Sequence, residues 1–513
     1  MLRPALRLTA ALAVLLAGAA HADTLVDNVE GLTFDVAGRA EPIVGLVIGN
    51  DGRVVQVLHK GDKAPRVDYR VDGQGRYLLP GLVDGHARLM ALGFAALTLD
   101  LSLAASRDEA LARIAAYAAA HPERPWVLGH GWDPAKWGAW PRAADLDGAV
   151  KDRPAWLVSA DGHAGWANSA ALAAAKVTAS TPAPAGGRIE RHGAGPSGIF
   201  HETAMELIAG AVPAPRPEDR DLALAEAQAS LLRQGVTTVT DMATTIDDWQ
   251  AYRRAGDAGR LQLRIVGYAP DAETMSLIGG PGPSPWLYDD RLKFNGLALV
   301  LDGKAFSPGA WSKTGGGTPR LNQAQLRNLM SRAGIDRFQV SVEAHGSAAV
   351  SAALDAASEL AQTYKGERRW RIEGAEEIDA ADMARFGTDV TTVLAPAAGP
   401  AAALGQAQVR LALGSGVPFA AGKPFAALVA ASSRADGLPR QQALAALTVA
   451  PAWAAWADGK VGRLAPGLNA DFILVDRDPL LTAADDLAET KVLETWVGGR
   501  KVWAAPPADA GGR

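Results

Sequence analysis

Between two β-rich ends the chain alternates strand and helix patterns over about 380 residues, and that alternation sets what it can fold into. Residues 217–234 have the spacing of an amphipathic helix, with Gly235 placed to close it. Residues 236–240 then read as a buried strand ending at Asp241. Residues 297–301 form another strand pattern, ending in Asp302-Gly303. Residues 339–343 are followed by Ser347, placed to cap the next helix, and residues 369–373 precede a helix from about Ala380. Repeated strand–loop–helix units point to a parallel α/β sheet, and the length suits a (β/α)8 TIM-type barrel with an insertion. The insertion is expected around residues 120–215, where residues 177–198 are dense in Pro, Gly and Ala. Ser106-Arg107-Asp108-Glu109 is a capping box ahead of the apolar-periodic residues 110–119.

The two ends resemble each other. Residues 42–48 and 54–58 flank Asn50-Asp51-Gly52, a hairpin signal. Residues 471–475, 492–497 and 501–503 are again β-rich, with Gly498-Gly499 between the last two. Residues 23–78 and 457–503 are therefore expected to build a small composite β-sandwich beside a barrel of residues 79–456. Residues 504–513 read as a disordered tail.

Composition narrows the chemistry. The 513 residues are 48% hydrophobic and 21% charged, which is ordinary globular composition. A net charge of −5 gives no basic field for nucleic acid or an anionic membrane. There is no cysteine, which removes disulfides, Cys-ligated zinc and thiol catalysis. The N-terminus reads as an export signal over residues 1–22. Arg3 and Arg7 precede an apolar run, residues 8–20, too short to span a bilayer, and Ala20-His21-Ala22 has the small-x-small form of a cleavage site. The expectation is a mature chain starting near Asp23, secreted across the inner membrane to the periplasm and free of the membrane once the signal is removed.

Three passages carry a family resemblance. Leu79-Pro80-Gly81-Leu82-Val83-Asp84-Gly85-His86 resembles the first barrel strand of amidohydrolases. Gly131-Trp132-Asp133, Asp161-Gly162-His163 and Asn168-Ser169-Ala170-Ala171-Leu172 resemble amidohydrolase family 3, the branch that includes N-substituted formamide deformylases. Gly462-Arg463-Leu464 through Pro466-Gly467 to Ala470-Asp471-Phe472-Ile473-Leu474-Val475 is similar to the superfamily's closing segment. The resemblance implies metal-assisted hydrolysis of an amide or other C–N bond at the C-terminal mouth of the barrel.

The metal ligands that the resemblance implies are mostly replaced. The first strand's His-x-His is His86 followed by Arg88, whose guanidinium has no lone pair for a metal. The ligand lysine's position holds Ala298, with Lys293 and Lys304 at the wrong offsets. The next strand's histidine is Glu343, with His345 two residues on, and the following Glu-His reads Glu373-Gly374. The final acidic turn reads Ala421-Gly422-Lys423-Pro424. One expected ligand of six survives, so no metal cofactor is expected. Arg88 and Lys423 are instead expected inside the mouth as fixed cations, paired with Glu343 and Asp302. An alternative keeps one divalent ion such as zinc on His86, Glu343, His345 and Asp302.

The substrate-side motifs are better kept. His130, Trp132, Asp161, His163 and Glu202 are expected around a small-molecule cleft, with Trp137 beside them. His86, His163, Glu343 and Asp302 are the candidates for proton transfer. The expected function is an amidohydrolase-like protein with lost or altered metal catalysis and a retained cleft. The alternatives are an active C–N hydrolase with a rebuilt mononuclear or metal-free site, and a non-catalytic periplasmic interaction protein.

Overall fold

The computed structural model describes residues 23–303, 310–387, 389–418 and 423–506. The expected export signal, the turn residues Ala421 and Gly422, and all but the first residues of the expected tail lie outside them. No described helix is long and apolar enough to cross a membrane.

Eight parallel strands form the barrel: β1 (Leu82–Ala87), β2 (Val236–Asp241), β3 (Arg264–Ala269), β4 (Leu292–Val300), β5 (Gln339–Ala344), β6 (Trp370–Gly374), β7 (Val390–Leu394) and β8 (Leu411–Leu413). They pair in that order. The last strand meets the first just past its end, where Gly416 N–H donates to the His86 carbonyl (2.9 Å) and Arg88 N–H to the Val417 carbonyl (3.0 Å). Asp84 fixes this seam by accepting from Ser415 N (2.9 Å) and Ser415 Oγ (2.5 Å). Helices follow the strands on the outside, the longest of them Pro217–Arg233 and Ser347–Thr363. Gly235 at φ +81° ends the former as its sequence predicts. The latter differs, because its N-cap is Gly346 and not Ser347. Ser347 Oγ accepts instead from Lys313 N–H (3.1 Å), which ties the loop after β4 to this helix.

A sheet drawn from both chain ends lies against the barrel. Its order is Arg500–Ala504, Val492–Val497, Phe472–Val475, Tyr69–Pro80, Thr24–Phe34, Gly45–Ile48, Val54–Leu58, with Ala40–Ile43 also on Thr24–Phe34. The ends meet where Phe472 lies opposite Pro80 and Val475 opposite Tyr77. The hairpin turns at Gly52, φ +77°. Asp471 clasps this sheet to the barrel through a buried bidentate pair with Arg264 of β3 (2.6 and 2.8 Å).

The insertion leaves after helix Leu89–Ala96 and returns at helix Pro217–Arg233. It holds a six-stranded sheet that begins at Leu99–Asp100, ahead of the expected start near residue 120. The predicted capping box forms only in its Ser106 half: Glu109 N–H donates to Ser106 Oγ (3.2 Å) at the start of Arg107–Ala120, while the Glu109 carboxylate accepts from Ala105 N–H (2.9 Å), one residue before the cap. Trp132, Leu146, Leu157, Trp166 and Ile199 form its core.

Candidate functional site

The barrel mouth, at the C-terminal ends of the strands, is where this fold carries chemistry. Strand alternation decides what reaches the interior. On β5, Val340, Val342 and Ala344 belong to the outer core, so Gln339, Ser341 and Glu343 face inward. On β6, Trp370 and Ile372 face outward, and Arg371 and Glu373 face inward.

Two charged clusters result. In the first, Glu373 is fully engaged. Its Oε1 accepts from Ser341 Oγ (2.6 Å) and Arg371 Nε (2.8 Å), and His86 Nδ1 lies 3.1 Å from its Oε2. Burial pushes the Glu373 carboxyl up, but the Arg371 charge and the His86 contact outweigh it and hold the group below the usual carboxylate range. Arg371 is completely buried and also donates to the Tyr268 hydroxyl (3.2 Å). Tyr268 in turn donates to Gln339 Oε1 (2.6 Å), and Asn295 Nδ2 donates to the same oxygen (2.7 Å). The network reaches from the mouth to the base of the barrel.

In the second cluster His345 is clamped by two carboxylates. Its Nε2 lies 3.0 Å from Glu343 Oε1 and its Nδ1 2.6 Å from Glu376 Oε2. Burial opposes charge on this imidazole, yet the two hydrogen bonds raise its pKa to about 10. His345 is therefore an imidazolium at neutral pH. Glu343, which burial alone would raise, is carried well below the carboxylate range by His345 and Arg88. The Arg88 guanidinium stands 3.7 Å from Glu343 Oε2 at the half-exposed rim.

Other predicted residues go elsewhere. Asp302 is buried and accepts backbone N–H groups from His345 (2.8 Å), Gly346 (2.9 Å) and Trp311 (2.9 Å), so it shapes the loop and pairs with no described arginine or lysine. Lys423 is exposed ahead of helix Pro424–Ser432, and its side chain makes no ion pair with any described residue. The expectation that it sits inside the mouth as a fixed cation is corrected. That place is taken by Arg371, from an apolar strand, and by His345. Arg371 and Glu376 were missed by sequence reasoning. The available signal was Arg371-x-Glu373, two charges on one face of an otherwise apolar strand.

On the insertion, His163 Nδ1 lies 3.0 Å from Glu202 Oε1, and Arg320, which precedes helix Gln323–Ile335, lies 3.5 Å from Glu202 Oε2. Glu202 holds φ +51°, a conformation costly for a residue with a Cβ. Asp161 accepts from Ser159 Oγ (2.6 Å) and His163 N–H (3.0 Å), fixing that turn. Trp132 is fully buried, with its indole N–H on the Leu157 carbonyl (2.9 Å), so its expected place at the cleft is corrected to the insertion core. Trp137 stacks on it there. His130 does line a cleft of about 830 Å³ between helix Leu89–Ala96 and the insertion sheet, with Phe94, Trp156, Val158 and Asp100. A smaller chamber of about 130 Å³ lies in the mouth against His86, Arg88, Glu343 and Glu373.

A catalytic zinc needs about three side-chain lone-pair donors and an open position. Among the described residues no three His, Asp or Glu side chains are grouped to hold a metal ion. Of the four alternative ligands, His345 offers both nitrogens to carboxylates, Asp302 faces backbone N–H groups, and Glu343 is paired. The described residues do not fit a divalent ion.

The fold is shared with solved hydrolases. An uncharacterised metal-dependent hydrolase from Pyrococcus horikoshii OT3 matches with TM-score 0.74 at 21% identity, over 90% of this chain and 99% of that one. A zinc-bound adenosine deaminase from Xanthomonas campestris matches with TM-score 0.52 at 16% identity, over 93% and 92%. Residues 70–503 match the model of the amidohydrolase family, and the chain belongs to that family. Among its relatives, Protein LONG AFTER FAR-RED 3 of Arabidopsis thaliana is 28% identical over 94% of this chain and 92% of its own length. An N-substituted formamide deformylase of Arthrobacter pascens is 26% identical over 93% and 97%.

Proposed function

We propose that this chain is an exported amidohydrolase-family protein that binds a small amide-type molecule and has lost the family's metal-dependent hydrolysis. The observation that carries the reading is the clamp Glu343–His345–Glu376, which spends on an internal cation the groups a metal would need. Removing dications from a ring of carboxylates leaves negative charge that must be paired in place. Arg371, His345 and Arg88 supply that pairing. The 830 Å³ cleft, apolar with His130 and Asp100 at hand, is large enough for a small ligand. Export rests on the pattern of residues 1–22.

The test is metal content by plasma mass spectrometry after exposure to zinc, manganese and iron and then desalting. Less than about a tenth of an equivalent is expected. Near one equivalent, lost in His86→Ala, would overturn the reading. A panel of N-substituted formamides should raise the melting temperature without being turned over. Fractionation with N-terminal sequencing should place a chain starting near Asp23 in the periplasm.

One observation favours a second reading, a metal-free hydrolase. His86 is oriented through Nδ1 by Glu373 and faces the 130 Å³ chamber, the arrangement of a general base held by a carboxylate. Turnover of a small formamide by metal-stripped protein, abolished in His86→Ala, would favour it over loss of catalysis.

A further inference from the structure

The end of the barrel opposite the mouth has the reverse electrostatics. A cavity of about 460 Å³ opens there, lined by Lys293, Arg337, Lys365, Arg368 and Glu367 above Phe338 and Trp456. Lys293 is at the start of β4, Arg337 lies just before β5, and Arg368 lies just before β6. We propose that this cavity binds a tetrahedral oxyanion, phosphate or sulfate, either free or as the end group of a small molecule.

The argument rests on where these cations do and do not find partners. Glu367, the one carboxylate among the described lining residues, is bonded to Arg369 outside the set (2.8 Å). Among the described residues Lys293 Nζ donates to the Trp456 carbonyl (3.1 Å) and lies over the Trp286 ring, Lys365 Nζ donates to the Ala361 carbonyl (3.3 Å), and Arg368 Nη1 donates to the Gly334 carbonyl (3.1 Å) beside the Tyr364 ring, so none of the three meets a carboxylate. Arg368 Nε is buried without a hydrogen-bond partner. The Arg337 side chain makes no hydrogen bond or ion pair with a described residue. Its backbone sits at φ +63°, where glycine or asparagine would serve the turn at less cost. The fold thus keeps, at a strained position, an arginine that the fold itself does not use.

Four cations without a committed counter-ion repel one another, and this happens in a chain whose net charge is −5. For Lys293, burial first and then the charge of Arg369, which stands outside the set, lower the pKa to about 8 against the opposing charge of Asp458. Two guanidinium groups beside two ammonium groups match the several acceptor oxygens of a tetrahedral dianion. Conserving stability is the usual reading of this face of a barrel, but unpaired like charges do not stabilise it.

The experiment is calorimetric titration of the intact protein with sodium phosphate, phenyl phosphate and sodium succinate, against sodium chloride at matched ionic strength. Phosphate should bind, and succinate should bind at least about tenfold more weakly. Arg337→Gln and Lys365→Gln, both on exposed side chains, should each weaken phosphate at least about tenfold. Arg327→Gln, which loses only a surface pair with Glu359, should leave the affinity unchanged. Phenyl phosphate binding tenfold tighter than phosphate would make the ligand an end group, and equal binding would make it the free ion. Heat no larger than that of chloride, wild-type affinity in both Gln variants, or succinate binding as tightly as phosphate would overturn the proposal. None of these outcomes touches the mouth, so the reading of the mouth stands or falls separately.

Discussion

The two ends of one barrel handle charge in opposite ways. At the mouth Glu373 is shared by Arg371, Ser341 and His86, and Glu343 by His345 and Arg88. At the base four cations surround a cavity whose one carboxylate is engaged elsewhere. The same strands β5 and β6 contribute to both ends. A closed network needs no visitor, whereas an open one does. The difference teaches that the site expected from ancestry is electrostatically sealed, while the unadvertised end is the one with capacity left.

That contrast can be broken by substitution. The largest effect is expected for Arg371→Met, which leaves Glu373 buried without its guanidinium partner. It should cost about 3–5 kcal/mol in urea unfolding, and adding Glu373→Gln should recover a good part of the loss. A cost below about 1 kcal/mol would mean the mouth is not sealed by this pair. His345→Gln should cost about 2–3 kcal/mol, because Glu343 and Glu376 each lose a charged partner.

Titration sharpens the same point. The His345 pKa is raised in the folded state from 6.5 to about 10. Its contribution to stability is therefore fully present below pH 6.5 and lost as pH rises through about 10. Glu343 runs the other way: its pKa is depressed, so its contribution is present above 4.5 and lost as pH falls below that. Melting temperature against pH should fall on the alkaline side in the wild type, and that fall should flatten in His345→Gln. Equal alkaline slopes in both proteins would show His345 to be neutral in the clamp.

Smaller effects are expected at the rim and the base. Arg88→Ala removes a long, half-exposed pair and should cost under about 1 kcal/mol. Arg337→Gln should change stability by no more than about 0.5 kcal/mol, with any gain larger at low salt, since it relieves repulsion. A loss above about 1 kcal/mol would show that the base is bonded in a way its partners do not indicate.

Much of the architecture was legible because it follows from periodicity. The helix ending at Gly235, the strand ending at Asp241 and the N-cap at Ser106 all rest on local chemistry that the fold keeps. What failed depended on three dimensions. Trp132 sits in a motif that suggested a cleft wall, but its indole packs among Trp137, Trp140 and Trp166. Leu99–Asp100 is too short a strand to show a period, so the insertion seemed to start later. Ser347 has the residue type of a cap, yet its hydroxyl is claimed by the loop after β4, and Gly346 takes the capping position. At the site, the residue types at the strand ends, such as Arg88 and Glu343, could be read off directly. How the charges at the mouth connect could not, because Glu376 reaches His345 from the loop after β6 and His86 reaches Glu373 from β1.

The sheet built from both chain ends has a consequence for how the molecule is made. Tyr69–Pro80 runs straight into β1, and its neighbour Phe472–Val475 lies far downstream of it in the chain. At 5–20 residues per second the gap is roughly 20–80 s. Throughout that interval one edge of Tyr69–Pro80 has no native partner and the Arg264–Asp471 clasp cannot form. Completion of this sheet is thus postponed until residues 471–475 have been made, and a chaperone has that long to hold the chain open.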